Sequence, residues 1–195
     1  MALPSSFLDL PRELRNIIYE FAVLAQPFGI KQTASPRRRQ LFTSRSSLES
    51  ASKQVREEYL ETVEKFALSP EWPEIVIEMP VMDMNFINLI ALTAMLTPAE
   101  RLSVASKLVV VLAFGSYSHV PLDSRIGLWL GYSSDVGLEA RYTVKKGCGP
   151  SGGEVVRLRY WLANPLPSNM RLEEATKIYD ALIASQSEVE HAQMP

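Results

Sequence analysis

The sequence predicts an α+β fold: helices flanking a mostly antiparallel sheet of about five strands. Three observations carry that expectation. Leu10, Leu14, Ile17, Ile18, Phe21 and Leu24 recur at the spacing of one helical face. Leu108 to Phe114 is a continuous apolar run rich in β-branched residues, as in a strand covered on both sides. From Ile126 to Leu162, apolar and polar residues alternate, the period of strands with one wet face.

The first helix is expected from Pro11 to Ala25, because proline at the first helical position gives up no hydrogen bond and Glu13 suits the positive end of the helix. Pro27 and Gly29 stop it, and 31–45 reads as a loop carrying Lys31, Arg37, Arg38, Arg39 and Arg45 without an acid. Ser46 and Glu49 have capping-box spacing for a second helix. Leu48, Ala51, Val55, Tyr59, Val63 and Phe66 form its inner stripe, with Lys53, Arg56, Glu57, Glu61 and Glu64 on the wet side. Ile75, Ile77 and Met79 alternate as a short strand that Pro80 closes.

Residues 82–96 return to helical spacing, Pro98 opens a short helix through Ala105, and the run from Leu108 makes a central strand. Three strands of a meander follow, on Ile126, Leu128, Leu130 and Tyr132, on Leu138, Ala140, Tyr142 and Val144, and on Val156, Leu158, Tyr160 and Leu162. Met170 to Ala184 is a last amphipathic helix, with Leu172, Ala175, Ile178, Tyr179 and Leu182 inward. No repeat or linker divides the chain. The reading is one domain over 1–195, with a helical headpiece at 7–66 and a sheet-plus-helix portion at 72–185.

Hydrophobic residues make up 47% and charged residues 22% of 195, enough for a packed core without a metal or disulfide staple. A net charge of -2 and a pI near 5.8 give no global attraction to nucleic acid or to anionic lipid. Cys148 is the single cysteine, so no internal disulfide can form. The opening MALPSSFLDLP lacks the charged and apolar regions of a secretory signal, which places the protein in cytosol or nucleus. Val81 to Leu96 and Val104 to Phe114 are the most apolar windows, broken by Asp83 and Lys107 and shorter than the ~20 residues of a membrane span.

No catalytic constellation stands out. Gly147-Cys148-Gly149-Pro150-Ser151-Gly152 matches a dinucleotide-binding spacing, but it lies between two expected strands rather than between a strand and a helix, so it reads as a hairpin loop. Ser116, His119 and Asp123 supply the residue types of a nucleophilic triad without a nucleophile elbow, and read as a polar loop. His119 and His191 are the only histidines, so no zinc ligand set can be assembled with Cys148. Cys148 beside Lys145 and Lys146 reads as an exposed bystander. Trp129 and Trp161 fall on the non-core side of their expected strands, where flanking helices would cover them.

The segment from Phe7 to Glu20, FLDLPRELRNIIYE, resembles the opening of a group of filamentous-fungal F-box-like proteins. Lys53-Gln54-Val55-Arg56-Glu57-Glu58 parallels a second phrase of that group, and the likeness extends to about residue 114. The resemblance implies an F-box-like headpiece that packs onto the Skp linker subunit of a cullin ubiquitin ligase, with the rest of the chain recruiting a substrate. Leu10, Pro11, Leu14, Ile17 and Ile18 would then form the docking surface. The chain departs from the pattern where a full F-box has its second and third helices, which a basic loop and one long helix replace here. The same stripe could instead dock the first helix on its own sheet, and one face cannot do both.

The leading expectation is therefore a non-enzymatic protein-interaction module, with no cofactor, metal or membrane partner. One alternative is nuclear or nucleic-acid association through residues 31–45, where Arg37, Arg38 and Arg39 could neutralise phosphates. A second is a small-ligand protein or cofactor-free enzyme with a pocket between sheet and helices, using Tyr132, Tyr142, Tyr160 or Glu139 as polar handles.

Overall fold

Helix dominates the described residues, and several of the helices are traceable to a cap or a stripe. A computed structural model describes residues 6–25, 28–30, 41–44, 46–115, 122–145, 152–163 and 172–192. Among them are seven α-helices: α1 (Arg12–Leu24), α2 (Lys53–Leu68), α3 (Ile87–Met95), α4 (Pro98–Lys107), α5 (Leu122–Val136), α6 (Gly152–Ala163) and α7 (Leu172–Ala192). The strands are β1 (Phe28–Ile30), β2 (Phe42–Thr43), β3 (Ile77–Met82), β4 (Leu108–Ala113) and β5 (Arg141–Val144). The chain divides into two compact units, Met1–Glu78 and Met79–Pro195, and β3 straddles the boundary.

In the first unit a 3-10 turn, Phe7–Asp9, precedes α1. Ser6 caps that turn: its hydroxyl accepts the Leu8 N–H at 3.2 Å, and Asp9 accepts the Ser6 N–H at 2.8 Å. The capping spacing at Ser46 starts a second 3-10 turn, Ser47–Ser50, rather than the long helix; Ser52 caps α2, accepting the Val55 N–H at 3.2 Å. The core of this unit comprises Tyr19 and Val23 of α1, Val55, Tyr59, Leu60, Val63, Phe66 and Ala67 of α2, and Phe42, Ile75 and Ile77. β1 pairs antiparallel with β2 (Ile30 with Phe42) and parallel with the start of β3 (Phe28 with Ile77, Gly29 with Glu78). The expected closure at Pro80 does not occur: β3 runs through it to Met82, with Pro80 on the exposed side.

In the second unit the end of β3 lies next to β4, and β4 next to β5. β4 is the central strand, with Leu108, Val110 and Leu112 fully buried. Its pairing with β5 is parallel, in the register Val109 to Arg141 through Leu112 to Val144. α4 opens on Pro98 behind a complete capping box of Thr97 and Glu100.

The expected antiparallel meander does not form. Residues 126–132 belong to α5 and 156–162 to α6, and β4 and β5, the strands on either side of α5, run parallel. The fold is α+β, but mostly helical, with a small sheet whose pairings β1–β3 and β4–β5 are parallel. The helical reading of 126–132 explains the burial that alternation could not. Ile126, Trp129, Leu130 and Ser133, at helical spacing, are all fully buried, while Leu128 is exposed. Trp129 is therefore core rather than outward; the side chain of Trp161 lies outside the described residues.

Asp83 and Met84, both at positive φ (49° and 59°), form the tight turn after β3, closed by the Asn85 N–H donating to the Met82 carbonyl at 2.8 Å. The Asp83 carboxylate also accepts the Gly115 N–H at 2.7 Å, fastening the ends of β3 and β4 within this unit.

Candidate functional site

α1 carries two stripes on nearly opposite sides. Arg15, Tyr19 and Val23, four residues apart, are buried. Leu14, Ile17, Ile18 and Phe21 face solvent, with Phe21 71% and Ile17 48% accessible, and Leu24 of the same helix and Leu8 of the preceding turn are exposed at 45% and 39%. The apolar stripe that fixes the helix in the sequence is thus not the one that docks it internally. Of the expected docking residues, Pro11, Leu14, Ile17 and Ile18 are exposed, and Leu10 is half-buried. Leu8 lies outside the set the resemblance supplies.

A polar cluster holds the helix in this orientation. Arg15 donates from Nε and Nη2 to the two oxygens of Glu58 at 2.9 and 2.8 Å, a bidentate pair. Its Nη1 donates to the carbonyls of Leu10 at 2.6 Å and Leu8 at 3.3 Å. The Tyr19 hydroxyl and the Gln54 amide both donate to Glu58 at 3.0 Å. Unlike the exposed Arg12–Glu61 pair, this one is almost shielded from water, at 8% and 11% side-chain exposure.

The hydrogen bond from Arg15 is the main reason the Glu58 carboxyl is pulled from 4.5 to about 2, against a burial that opposes it, with Gln54 and Tyr19 assisting. Glu58 in turn holds the Arg15 guanidinium above its ordinary value. Burial first, and Glu58 second, push the Tyr19 hydroxyl up to about 12. The sequence offered one hint of the cluster: Arg15 recurs with Tyr19 and Val23 at i, i+4 and i+8, off the apolar stripe.

A folded-state pKa below the unfolded one means that Glu58 contributes stability above the ordinary carboxyl value, and that this contribution is lost as pH falls from 4.5 towards 2. Over that window the melting temperature of the wild type is expected to drop. Glu58→Gln, less stable at neutral pH, should drop less; equal acid sensitivity in a calorimetric pH series would refute this assignment.

The second unit holds a separate polar network. Trp129 Nε1 donates to the Tyr142 hydroxyl at 2.7 Å, and that hydroxyl donates to Glu174 at 2.6 Å. Glu174, fully buried, also accepts the Ala140 N–H at 3.0 Å and the Lys177 ammonium at 3.3 Å. Burial, then Glu174, keeps the Tyr142 hydroxyl well above its ordinary value. Burial works against the Lys177 ammonium, but Glu174 and Glu139 outweigh it and raise its pKa.

Above this network is an open groove of about 870 Å³ between α4 and α7, lined by Leu102, Ala105, Ala181, Ala184, Tyr142, Glu139, Arg141, Lys177 and Asp180 among others. Two expected ligand handles, Tyr142 and Glu139, lie in it. Tyr132 instead accepts a bond from Thr93 at 3.0 Å, and Tyr160 is 72% exposed on α6.

Arg37, Arg38 and Arg39, with Ser116, His119 and Cys148, lie outside the described residues, as do the side chains of Asp123 and His191. So does 147–151 of the glycine-rich motif, but its setting is now fixed: β5 precedes it and α6 begins at Gly152. The two-strand context that argued against a dinucleotide match is therefore corrected to strand and helix. No helix among the described residues is long and apolar enough to cross a membrane. No protein family, curated protein or solved structure matches the chain.

Proposed function

We propose that this chain is a non-enzymatic interaction module that docks a protein partner on α1, as an F-box-like adaptor would dock the Skp-type linker subunit of a cullin ubiquitin ligase. One observation carries the reading: Leu14, Ile17, Ile18 and Phe21 stand exposed at i, i+3, i+4 and i+7, the anchor spacing of a helix that lays its apolar face into a groove. The opposite side of α1 is already engaged, Arg15 and Tyr19 bonding Glu58 of α2 and Val23 being buried, so the exposed stripe is available without unfolding the unit. The sequence likeness at residues 7–20 supports the choice of partner, and a reducing cytosolic or nuclear setting suits a chain with one cysteine.

Co-purification tests the reading. The full chain, mixed with a Skp-type subunit at micromolar concentration, is expected to elute as a complex from a sizing column. Separate elution under those conditions removes the ligase role.

A further inference from the structure

The turn and the helix that carry the docking face are two pieces of backbone with a joint between them. The turn is closed by the Asp9 and Leu10 N–H groups, donating to Ser6 and Phe7, while the helix starts with the Leu14 and Arg15 N–H groups on Pro11. At the joint, Leu10 and Pro11 are extended (ψ 142° and 145°). A guanidinium crosses it: Arg15 reaches back from α1 to the Leu8 and Leu10 carbonyls while Glu58 of α2 fixes its other edge. Phe7 rests on the Tyr19 ring at 5.8 Å, and the Tyr19 hydroxyl ends on the same carboxylate.

We infer that Arg15 and Glu58 are positioning residues for the docking face, locking the Phe7–Asp9 turn to α1 so that Leu8 joins Leu14, Ile17 and Ile18 in one surface. Arginine is required because its fork can serve a carboxylate and two carbonyls at once, which a lysine ammonium cannot match in geometry. The inference rests on the docking reading for the role of Leu8; the locking of the turn stands apart from it.

The experiment has two arms, both on the full chain. In the first, amide exchange is followed by NMR in Arg15→Lys and Glu58→Gln. Asp9 and Leu10 are expected to exchange roughly tenfold faster or more in both, and by clearly more than the α1 amides, whose protection falls only with the lowered stability of the unit, since charge-assisted bonds are the stronger class. Unchanged exchange at Asp9 and Leu10 overturns the inference. So does a rise shared equally by turn and helix, because the pair would then stabilise the unit without positioning the turn.

In the second arm Leu8→Asp is titrated with the Skp-type subunit. A loss of roughly tenfold in affinity with unaltered α1 exchange is expected; wild-type affinity would exclude Leu8 from the surface. If the wild-type chain binds no linker, the docking reading and the role of Leu8 fall together, and the first arm alone decides the lock.

Discussion

Phe21→Asp is expected to weaken capture of the Skp-type linker about 100-fold or more, while leaving unfolding free energy within roughly 0.5 kcal/mol of wild type. The asymmetry follows from where Phe21 stands. At 71% exposure it contributes little to the core of the first unit, whose α1 contacts are made by Tyr19 and Val23. A carboxylate within a patch that must be dehydrated on docking would lose its water without gaining a partner. Tyr160→Asp, on an equally exposed aromatic of α6, is the control and should bind as the wild type does. Titration calorimetry paired with urea denaturation separates the two effects. Full affinity in Phe21→Asp would show that the exposed stripe has no part in capture.

The second large effect belongs to the other unit. Trp129→Ala should destabilise it by about 3–5 kcal/mol, the usual range for removing a large buried aromatic ring. Trp129 is fully buried, stacked on Phe86 with centroids 5.1 Å apart, and its indole N–H serves the Tyr142 hydroxyl. Alanine would leave a cavity beside Phe86 and remove one donor from the network that ends on Glu174. Trp129→Phe keeps part of the stack but not the hydrogen bond, and should cost less. A denaturation midpoint unmoved by Trp129→Ala would contradict the burial described here.

Long amphipathic elements were legible in the sequence because one period dominated them. α1, α2, α4 and α7 follow from stripes and caps, and β4 from an apolar run too short and too β-branched for a helix. α5 and α6 were not legible, because their apolar residues satisfy both periods at once. In α6, Val155 and Leu158 are buried and Val156 and Tyr160 exposed, so half of the apparent strand face was solvent-facing helix. Only packing partners distant in the chain break that tie. The exposed stripe of α1 was likewise legible as a stripe, whereas its outward orientation depended on Glu58, 43 residues further on, drawing Arg15 inward.

Glu174 has a consequence for how copies of this chain meet. β5 ends the strand order, and a terminal strand ordinarily offers its unused amides to any extended chain that drifts alongside. Here the amide of Ala140, the residue just before β5, is already engaged by a carboxyl anchored in α7 and braced by Tyr142 and Lys177. An intruding strand would have to strip that carboxyl of its donors while it remained out of reach of water. α7 thus closes the leading end of that edge to an incoming strand.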